Sequence, residues 1–525
     1  MASQQTTSIK EPATARSVEG LSRFPTIDVL RGFAIFSNVL VHIFTDVFDL
    51  EPVTSKLFDQ PISVLVILIL IGYFGSFGSL FIMISGTGNM LSMQKSVERG
   101  KPVQQVIVKQ IIGGIILLVF SFLVEGVFQF YGFLGTIGGI NSHEFDPSRA
   151  IWHAYSMTPV HCLAFGMIFT GIVQGFMSMR GGFQKHARNI IIYLVLAGIV
   201  VAITQPVWDL CKAIAPPGFP NANIDPLYPG SQASDWKVYM PPPDASFLDY
   251  IKYFFLMMAS GSNHPVFPFL AMSFVGDAIG ILLVMEAKKE KPNPHVPRYG
   301  MISAILVVVT GVAMILVLGV DFSSILPVNS VGDITGIHGA SEGFWIPWFT
   351  FLLAGELLVV FMLLRLVEYR GLGKSVGDKS KFLRRFGMPA FSTYAWHRFW
   401  SIPAVLLISW IAGVPSWPGG SITDTELNWA WTLVVLVAAI ASCWVILVAW
   451  EKIGYIGGIE WMIGEVAALF GKIMEKAKST QGERLRWWEH GKMDVERLFV
   501  HPRWLNIIPR DEKYHEAKSE SIFSV

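Results

Sequence analysis

Long apolar stretches recur along most of this chain of 525 residues and constrain its fold more than any other feature. Many approach the ~20 residues that a helix needs to cross the hydrocarbon core of a bilayer. In lipid the backbone must satisfy its own hydrogen bonds, and segments of this length do so as helices rather than barrel strands. The sequence therefore predicts an all-α, polytopic membrane helix bundle of about ten transmembrane helices. The expected spans are 28–48, 70–91, 106–129, 157–177, 188–207, 265–285, 300–320, 345–366, 387–411 and 429–450.

Composition and charge exclude several classes of protein. Charged residues make up 15% of the chain, which is too few for a soluble domain that carries about 25%. The net charge of +1 argues against a nucleic-acid partner. The first 27 residues are polar and lack the apolar core of a cleavable signal peptide. Two of the three cysteines fall in predicted helices, so we expect no disulfide framework.

Lysine and arginine define the predicted orientation. Of the 40 such residues, 31 fall in alternate connecting segments and 5 in the others, and the remaining 4 lie within spans. This alternation is typical of the positive-inside rule and predicts that both termini are cytoplasmic. The chain then divides into a cytoplasmic segment 1–27, a membrane domain 28–450 with a long outer loop 208–264, and a cytoplasmic amphipathic and basic tail 451–525.

Three segments keep alternative interpretations. The stretch 61–91 exceeds one span and is interrupted by glycines, so 61–71 could be an extra re-entrant or interfacial piece. The outer loop is rich in proline and aromatic residues (Tyr228, Trp236 and Tyr239), as in a lid, a sugar platform or a plain connector. Apolar residues at helical spacing over 459–474 predict an amphipathic helix on the inner membrane surface or on the bundle's cytoplasmic ends.

A polar stripe runs along the first span. It consists of Asp28, Arg31, Asn38, His42, Thr45 and Asp46, whose spacing places them on one side of a helix. Ionisable groups are costly inside a membrane and usually mark a functional site. His42 and Asp46 are four residues apart, so the carboxylate could hold one imidazole nitrogen and make His42 a general base or a transient acyl acceptor. The alternative is a structural polar network.

Other spans carry polar groups at similar depths. Ser121, Glu125 and Gln129 are spaced by four, and Glu125, His161 and His264 are expected near the same outer level as His42. The ninth span presents Thr393, His397 and Ser401 on one side, with Tyr394 and Arg398 beside them. No metal-ligand spacing, phosphate loop or serine-hydrolase elbow occurs, so we expect no metal.

Several short motifs occur in a familiar order. Residues 23–35 read RFPTIDVLRGFAI, followed by HIFTD at 42–46, LFIMISG at 80–86, HPVFPFLAMSFVG at 264–276, GMPAFSTYAWH at 387–397 and GGIEW at 457–461. Together this pattern resembles the transmembrane acyltransferases related to heparan-α-glucosaminide N-acetyltransferase, as a prokaryotic-type member. Pro389 departs from the asparagine usual in the late motif, and the outer-loop histidine of animal members has no counterpart.

The resemblance implies an enzyme that moves an acetyl or other acyl group from cytosolic acyl-CoA to an amine or hydroxyl of a glycan-type acceptor at the outer face. Acetyl-CoA would then be the donor substrate. The implied roles are catalytic for His42, Asp46 and His397, donor-binding for Arg31, Lys109, Arg384, Arg385 and Arg398, and acceptor-binding for Glu125, His161, His264 and Tyr394.

Two other classes and several details stay open. A transporter or flippase could use the polar stripe as a substrate or proton path, and a membrane scaffold could retain an inactive acyltransferase core. The partners we expect are the bilayer, acyl-CoA and a small exported acceptor, and a homodimer is compatible with the sequence. Absence of an N-glycosylation sequon favours a prokaryotic plasma membrane over an organelle membrane.

The topology predicts how introduced cysteines react. In an otherwise cysteine-free chain, Trp236→Cys should be labelled by an impermeant maleimide on intact cells, because 208–264 is predicted to lie outside. Gly482→Cys should be labelled only after the membrane is opened, since 451–525 is predicted to lie inside. Equal labelling of both cysteines on intact cells would contradict the topology.

Overall fold

The structure is a computed structural model that describes residues 23–48, 61–75, 77–137, 145, 147, 157–214, 245–260, 264–318, 345–413, 427–466 and 491–508. Within these residues the chain is helical and has two isolated β-bridges but no strand. The predicted all-α helix bundle is confirmed. The outer-loop aromatics, the first 22 residues and the second half of the predicted amphipathic helix lie outside the described residues.

The helices follow the predicted spans closely. They are α1 (Pro25–Val47), α2 (Ile62–Gly75), α3 (Gly78–Glu98), α4 (Val103–Leu123), α5 (Pro159–Ser178), α6 (His186–Ile214), α7 (Phe247–Ser260), α8 (Val266–Lys288), α9 (Val296–Leu318), α10 (Trp345–Leu366), α11 (Gly373–Lys379), α12 (Lys381–Gly387), α13 (Ala390–Ala412) and α14 (Trp429–Glu451). A π-turn, Val124–Phe128, extends α4.

Eight of these helices are long and apolar enough to cross a membrane: α1, α4, α5, α6, α8, α9, α10 and α14. The other two predicted spans correspond to α3 and α13, which have 21 and 23 residues. Both reach the ~20 residues required for a span, but they carry more polar side chains, and those of α13 include His397 and Arg398. The count of ten transmembrane helices stays a prediction.

Two parts of the secondary structure differ from expectation. The predicted span 70–91 is divided, because α2 ends at Gly75 and α3 begins at Gly78. The segment 61–71 is therefore part of a separate 14-residue helix. The predicted outer loop contains α7, whose buried face includes Tyr253 and Leu256.

Helix α8 lies at the centre of one half of the bundle, where it packs against α3, α5 and α6. Small residues make the close approach to α3 feasible, as is common between membrane helices. A Cβ on Gly86 would lie 2.7 Å from the carbonyl oxygen of Ser273, and one on Gly276 would overlap the carbonyl oxygen of Met83. Both glycines belong to motifs noted in the sequence, so these motifs encode a helix contact.

Helix α1 organises the other half, packing against α3, α12, α13 and α14. A Cβ on Gly387 would lie 2.6 Å from the backbone nitrogen of Gly32. A Cβ on Gly32 would overlap the carbonyl oxygen of Leu383 in α12. The two glycines therefore let the backbone of α1 touch the junction between α12 and α13.

The N-terminal ends of α1 and α13 lie on the side predicted to face the cytosol, here called the inner end. Segment 491–508 packs there against the start of α1, since Arg23 N–H donates to Arg503 O (2.7 Å) and Leu505 N–H donates to Arg23 O (2.9 Å). Residues 459–466 are helical, and Ile459 is buried in the core. This part of the predicted amphipathic helix packs on the bundle's inner end.

The contact at Gly32 predicts a specific sensitivity. Gly32→Ala should lower the free energy of unfolding by about 1–3 kcal/mol, because the added methyl group forces α1 and α12 apart. Gly198→Ala is the matched control, since its Cβ would meet no atom within 4 Å and alanine is the better helix former. Thermal unfolding of both purified variants in detergent measures the difference. Equal midpoints would contradict the close packing.

Candidate active site

Two histidines meet where α1 and α13 pack together. The Nδ1 atom of His42 lies 3.1 Å from Nε2 of His397, and the two rings stack with centroids 5.1 Å apart. His397 is 1% exposed, whereas His42 is partly exposed. His42 is therefore the more exposed member of the pair, and His397 is the more buried one.

The hydrogen bonds fix the tautomers of both rings. Nδ1 of His397 faces two backbone carbonyls, Tyr394 O at 2.8 Å and Thr393 O at 3.2 Å, so this nitrogen must carry the proton and donate. With both rings neutral, Nε2 of His397 is then an acceptor and receives the Nδ1 proton of His42. As a result, Nε2 of His42 is an acceptor, and the amide group of Asn38 donates a long hydrogen bond to it at 3.5 Å. A bare imidazole nitrogen can act as a base or a nucleophile.

Asp46 pairs with Arg398, whose Nε lies 2.6 Å and whose terminal nitrogen lies 3.2 Å from the two carboxylate oxygens. The Tyr131 ring packs 4.7 Å from the guanidinium, and its hydroxyl lies 3.4 Å from Asp46. Asp46 therefore contacts Arg398 instead of its predicted partner, His42. Two charge-assisted bonds to a guanidinium satisfy a buried carboxylate better than one bond from a neutral imidazole.

Glu125 joins this region through Tyr394, whose hydroxyl donates to the Glu125 carboxylate at 3.0 Å. The carboxylate is completely buried, and its second oxygen has no hydrogen-bond partner among the described residues. Glu125 lies in the π-turn that ends α4. Such turns alter the direction of side chains within a helix and are frequent at functional sites.

His161 and His264 lie at the starts of α5 and α8. The side chain of His161 forms a capping box with Thr158, with 3.1 Å between Nδ1 and the hydroxyl oxygen. The ring of His264 packs against Phe269, with centroids 4.7 Å apart. These contacts stabilise helix ends, and the predicted roles of both histidines in acceptor binding stay predictions.

A cavity of about 790 Å³ opens at the inner end of the bundle. Its deeper wall is apolar and includes Phe81, Leu117 and Phe391. Its basic residues come from three parts of the chain, namely Arg23, Arg31, Lys95, Arg99 and Arg497. We call this space the inner cavity. An apolar chamber with a basic rim suits a ligand that has an acyl arm and an anionic end.

One of the five predicted donor-binding residues lines the inner cavity, and the others lie elsewhere. Arg31 lines the inner cavity, and its Nε has no hydrogen-bond partner among the described residues. Lys109 is exposed on α4, Arg385 pairs with Glu451 at 2.5 Å, and Arg398 lies beside the histidine pair. Arg384 donates to Gly377 O at 2.9 Å and packs over Trp504 at 4.4 Å. Burial lowers the pKa of the Arg384 guanidinium to about 10, and its contacts tie α12 to the C-terminal segment.

Most of the cavity's basic residues carry no sequence signal that marks them as part of a site. Arg23 begins the first motif, but Lys95 and Arg99 looked like ordinary inside charges at the end of a span. Only their position at the end of α3, which packs against α1, brings them to the same opening. No sequence spacing indicates that contact.

The motif at 457–461 has a clear role at the start of α13. The Glu460 carboxylate accepts hydrogen bonds from the N–H groups of Phe391 (2.5 Å) and Ser392 (3.3 Å) and from the Ser392 hydroxyl (2.6 Å). Burial raises the pKa of this carboxyl, and the bonds from Ser392 and Phe391 oppose the rise. Glu460 thus caps the helix that carries Tyr394, His397 and Arg398.

Residues 23–142 match the family model described as heparan-alpha-glucosaminide N-acetyltransferase, catalytic. This segment, less than a quarter of the chain, is similar to the heparan-α-glucosaminide N-acetyltransferase family, which confirms the predicted resemblance. The eight apolar helices and this match agree with a multi-pass membrane protein. No curated protein matches the chain.

The matched segment contains only part of the candidate site. It provides Arg31, His42, Asp46 and Glu125, on α1 and the end of α4. The partners of these residues on α13 lie beyond the match, yet they complete the histidine pair and the ion pair. Within the described residues, no three His, Cys, Asp or Glu side chains are grouped to hold a metal ion.

The Asp46–Arg398 pair predicts coupled effects on stability. Arg398→Gln or Asp46→Asn alone leaves one buried charge unpaired and should cost about 3–5 kcal/mol of unfolding free energy. The double variant removes both charges and should recover most of that loss. Lys381→Gln is the control, because its pair with Glu451 is 37% exposed on the lysine side and should be worth less than about 1 kcal/mol. Additive losses measured by thermal unfolding would contradict the coupling.

Proposed function

We propose that the protein is an acyl-CoA-dependent acyltransferase of the plasma membrane. It moves an acetyl group, or a related acyl group, from cytosolic acyl-CoA to an amine or hydroxyl of a glycan-type acceptor at the outer face. The observation that carries this proposal is the histidine pair, in which Nδ1 of His42 lies 3.1 Å from Nε2 of His397 on α13, the helix whose start borders the inner cavity.

The inner cavity is the proposed site of the donor. Its basic rim faces the side from which CoA would arrive, and arginine binds phosphate oxygens through two parallel hydrogen bonds. Phe391 in the cavity wall and His397 are six residues apart on α13, which corresponds to about 9 Å along the helix. The pantetheine arm could cover that distance along α13. The thioester would then reach the histidine pair while the phosphates stay in water.

His42 is the proposed base. Its Nε2 takes the proton of the acceptor amine or hydroxyl while the acceptor atom attacks the thioester carbonyl carbon. The new bond from the acceptor to that carbon forms, the carbon–sulfur bond breaks, and CoA leaves as a thiolate that regains the proton. In a two-step variant, Nε2 itself attacks the thioester carbonyl carbon, the carbon–sulfur bond breaks and CoA leaves as a thiolate. The acceptor then attacks the same carbon, the carbon–nitrogen bond to His42 breaks, and the acceptor's proton passes through Nε2 to the thiolate.

The surrounding groups support either route. When Nε2 of His42 gains a proton or an acyl group, the Nδ1 proton can shift to Nε2 of His397, whose other nitrogen is held by two carbonyls. This transfer spreads the positive charge over both rings. The unpartnered oxygen of Glu125 is the proposed contact for the acceptor's amine or hydroxyl, with Tyr394 holding the carboxylate in place.

Acetyl transfer by the folded protein should require the His42 side chain, whatever that side chain contributes to the stability of the fold. His42→Ala should lower the turnover of acetyl-CoA with an amino-sugar acceptor by about 100- to 10,000-fold, the range for a lost general base. His397→Gln should lower it less, because glutamine can keep a hydrogen bond to His42 but cannot accept its proton. Turnover per folded molecule, measured as released thiol, provides the comparison.

Three outcomes separate the alternatives. Near-normal turnover of folded His42→Ala would contradict the role of His42. Turnover that is equal in His397→Gln and wild type would contradict the proton shift. If the wild-type protein does not consume acetyl-CoA with amine or hydroxyl acceptors but moves a glycan or lipid across vesicles, the transporter alternative is supported instead.

A further inference from the structure

We propose that the C-terminal segment 491–508 is part of the donor site, and that Arg497 in this segment and Arg99 at the end of α3 together bind the phosphates of the donor. This inference rests on the proposed function and adds to it a second binding element far outside the family match. We refer to the two side chains as the arginine pair.

Backbone hydrogen bonds attach segment 491–508 to the bundle along its whole length. Gly491 N–H donates to the Glu465 carboxylate at 2.8 Å, and Met493 N–H donates to Gly454 O at 3.0 Å. Further along, Ile507 N–H donates to Glu368 O at 3.1 Å. Between these points Phe499 is buried, and Arg384 packs over its ring at 5.1 Å. The segment is therefore a fixed wall of the protein.

That wall borders the inner cavity. Met493, Asp494, Arg497 and Leu498 of this segment line it together with Lys95 and Arg99 from α3. The backbone N–H of Arg497 donates to the Asp494 carboxylate at 3.0 Å, which fixes the start of the turn that carries Arg497. The cavity thus has one basic side from α3 and another from the tail.

The charged side chains around the inner cavity differ in whether they already have an ion-pair or hydrogen-bond partner. Asp28 lies 2.8 Å from Arg23 and 3.5 Å from Arg31, so it partly neutralises both. Of the two acidic residues that line the cavity, Glu460 is occupied as the cap of α13 and Asp494 accepts from the backbone N–H of Arg497. Arg99 and Arg497 are both exposed, and neither has an ion-pair partner within the described part of the chain. The arginine pair is therefore the portion of the rim that is available to an incoming anion.

The chemistry of CoA fits this arrangement. Its acyl arm is uncharged, whereas its nucleotide end carries a diphosphate and a 3′-phosphate. Guanidinium groups bind phosphate oxygens with paired, charge-assisted hydrogen bonds. An arm in the apolar part of the cavity leaves the nucleotide end at the opening, between the two arginines. The tail then favours CoA over analogues that lack a phosphate.

Binding measurements on the full chain test the arginine pair. By isothermal titration calorimetry in detergent, Arg497→Gln should weaken the binding of CoA about tenfold, as expected for the loss of one charge-assisted contact. The same change should reduce the preference for CoA over dephospho-CoA. Arg497→Lys keeps the charge but lacks the paired donors, so its affinity for CoA should lie between those of the wild-type protein and Arg497→Gln. Arg503→Gln, an exposed arginine of the same segment that does not line the cavity, should bind like wild type.

The outcomes distinguish this inference from the proposed function. If the wild-type protein does not bind CoA, the proposed function fails. If the wild-type protein binds CoA and Arg497→Gln binds it equally well, the tail's role is wrong and the proposed function stands. Unfolding midpoints without ligand identify any variant that binds weakly because it is misfolded. In that case Arg99→Gln, on the opposite side of the opening, decides whether the pair acts on the donor.

Discussion

Backbone contact between Gly32 and Gly387 is the constraint on which the candidate site depends. A side chain at either position would separate α1 from the junction of α12 and α13, because neither backbone has room for a Cβ. The histidine pair and the Asp46–Arg398 pair lie further along the same two helices. Their hydrogen bonds tolerate shifts of only a few tenths of an ångström. Close packing near the inner end therefore determines whether reactive groups meet near the outer end.

Carboxylates from distant parts of the chain cap both of these helices. Glu368 accepts from the Thr26 N–H (2.9 Å) at the start of α1, and Glu460 accepts from the Phe391 N–H (2.5 Å) at the start of α13. A negative charge near these N–H groups is favourable, because the helix dipole is positive there. Each cap also ties its helix to a neighbouring segment. The inner end thus fixes the register of the two helices that bear the histidines, and it forms the opening of the inner cavity as well.

The sequence was most informative about properties that repeat along one helix. Apolar length predicted α10 with the observed bounds, Trp345–Leu366, and polar spacing placed His42 and Asp46 on one side of α1. It could not identify partners across helices, since these depend on the order of helices in the bundle. Asp46 therefore pairs with Arg398 rather than with His42. The π-turn at Glu125 and the basic rim assembled from α1, α3 and the tail likewise arise from tertiary packing, which leaves no periodic signal.

The start and the middle of α13 lie in surroundings of different charge. This difference explains how one helix could contact both the proposed acyl donor and the proposed acceptor. Its start borders a basic opening suited to a polyanion that cannot cross lipid, and its middle carries His397 beside Arg398, which is paired with Asp46. An imidazole in this position must be uncharged to act as a base, and unpaired positive charge nearby would oppose protonation of His42. Pairing of Arg398 with Asp46 offsets part of that opposition while leaving the guanidinium in place. Asp46 can thus matter for the chemistry without touching His42, by controlling the charge that His42 experiences.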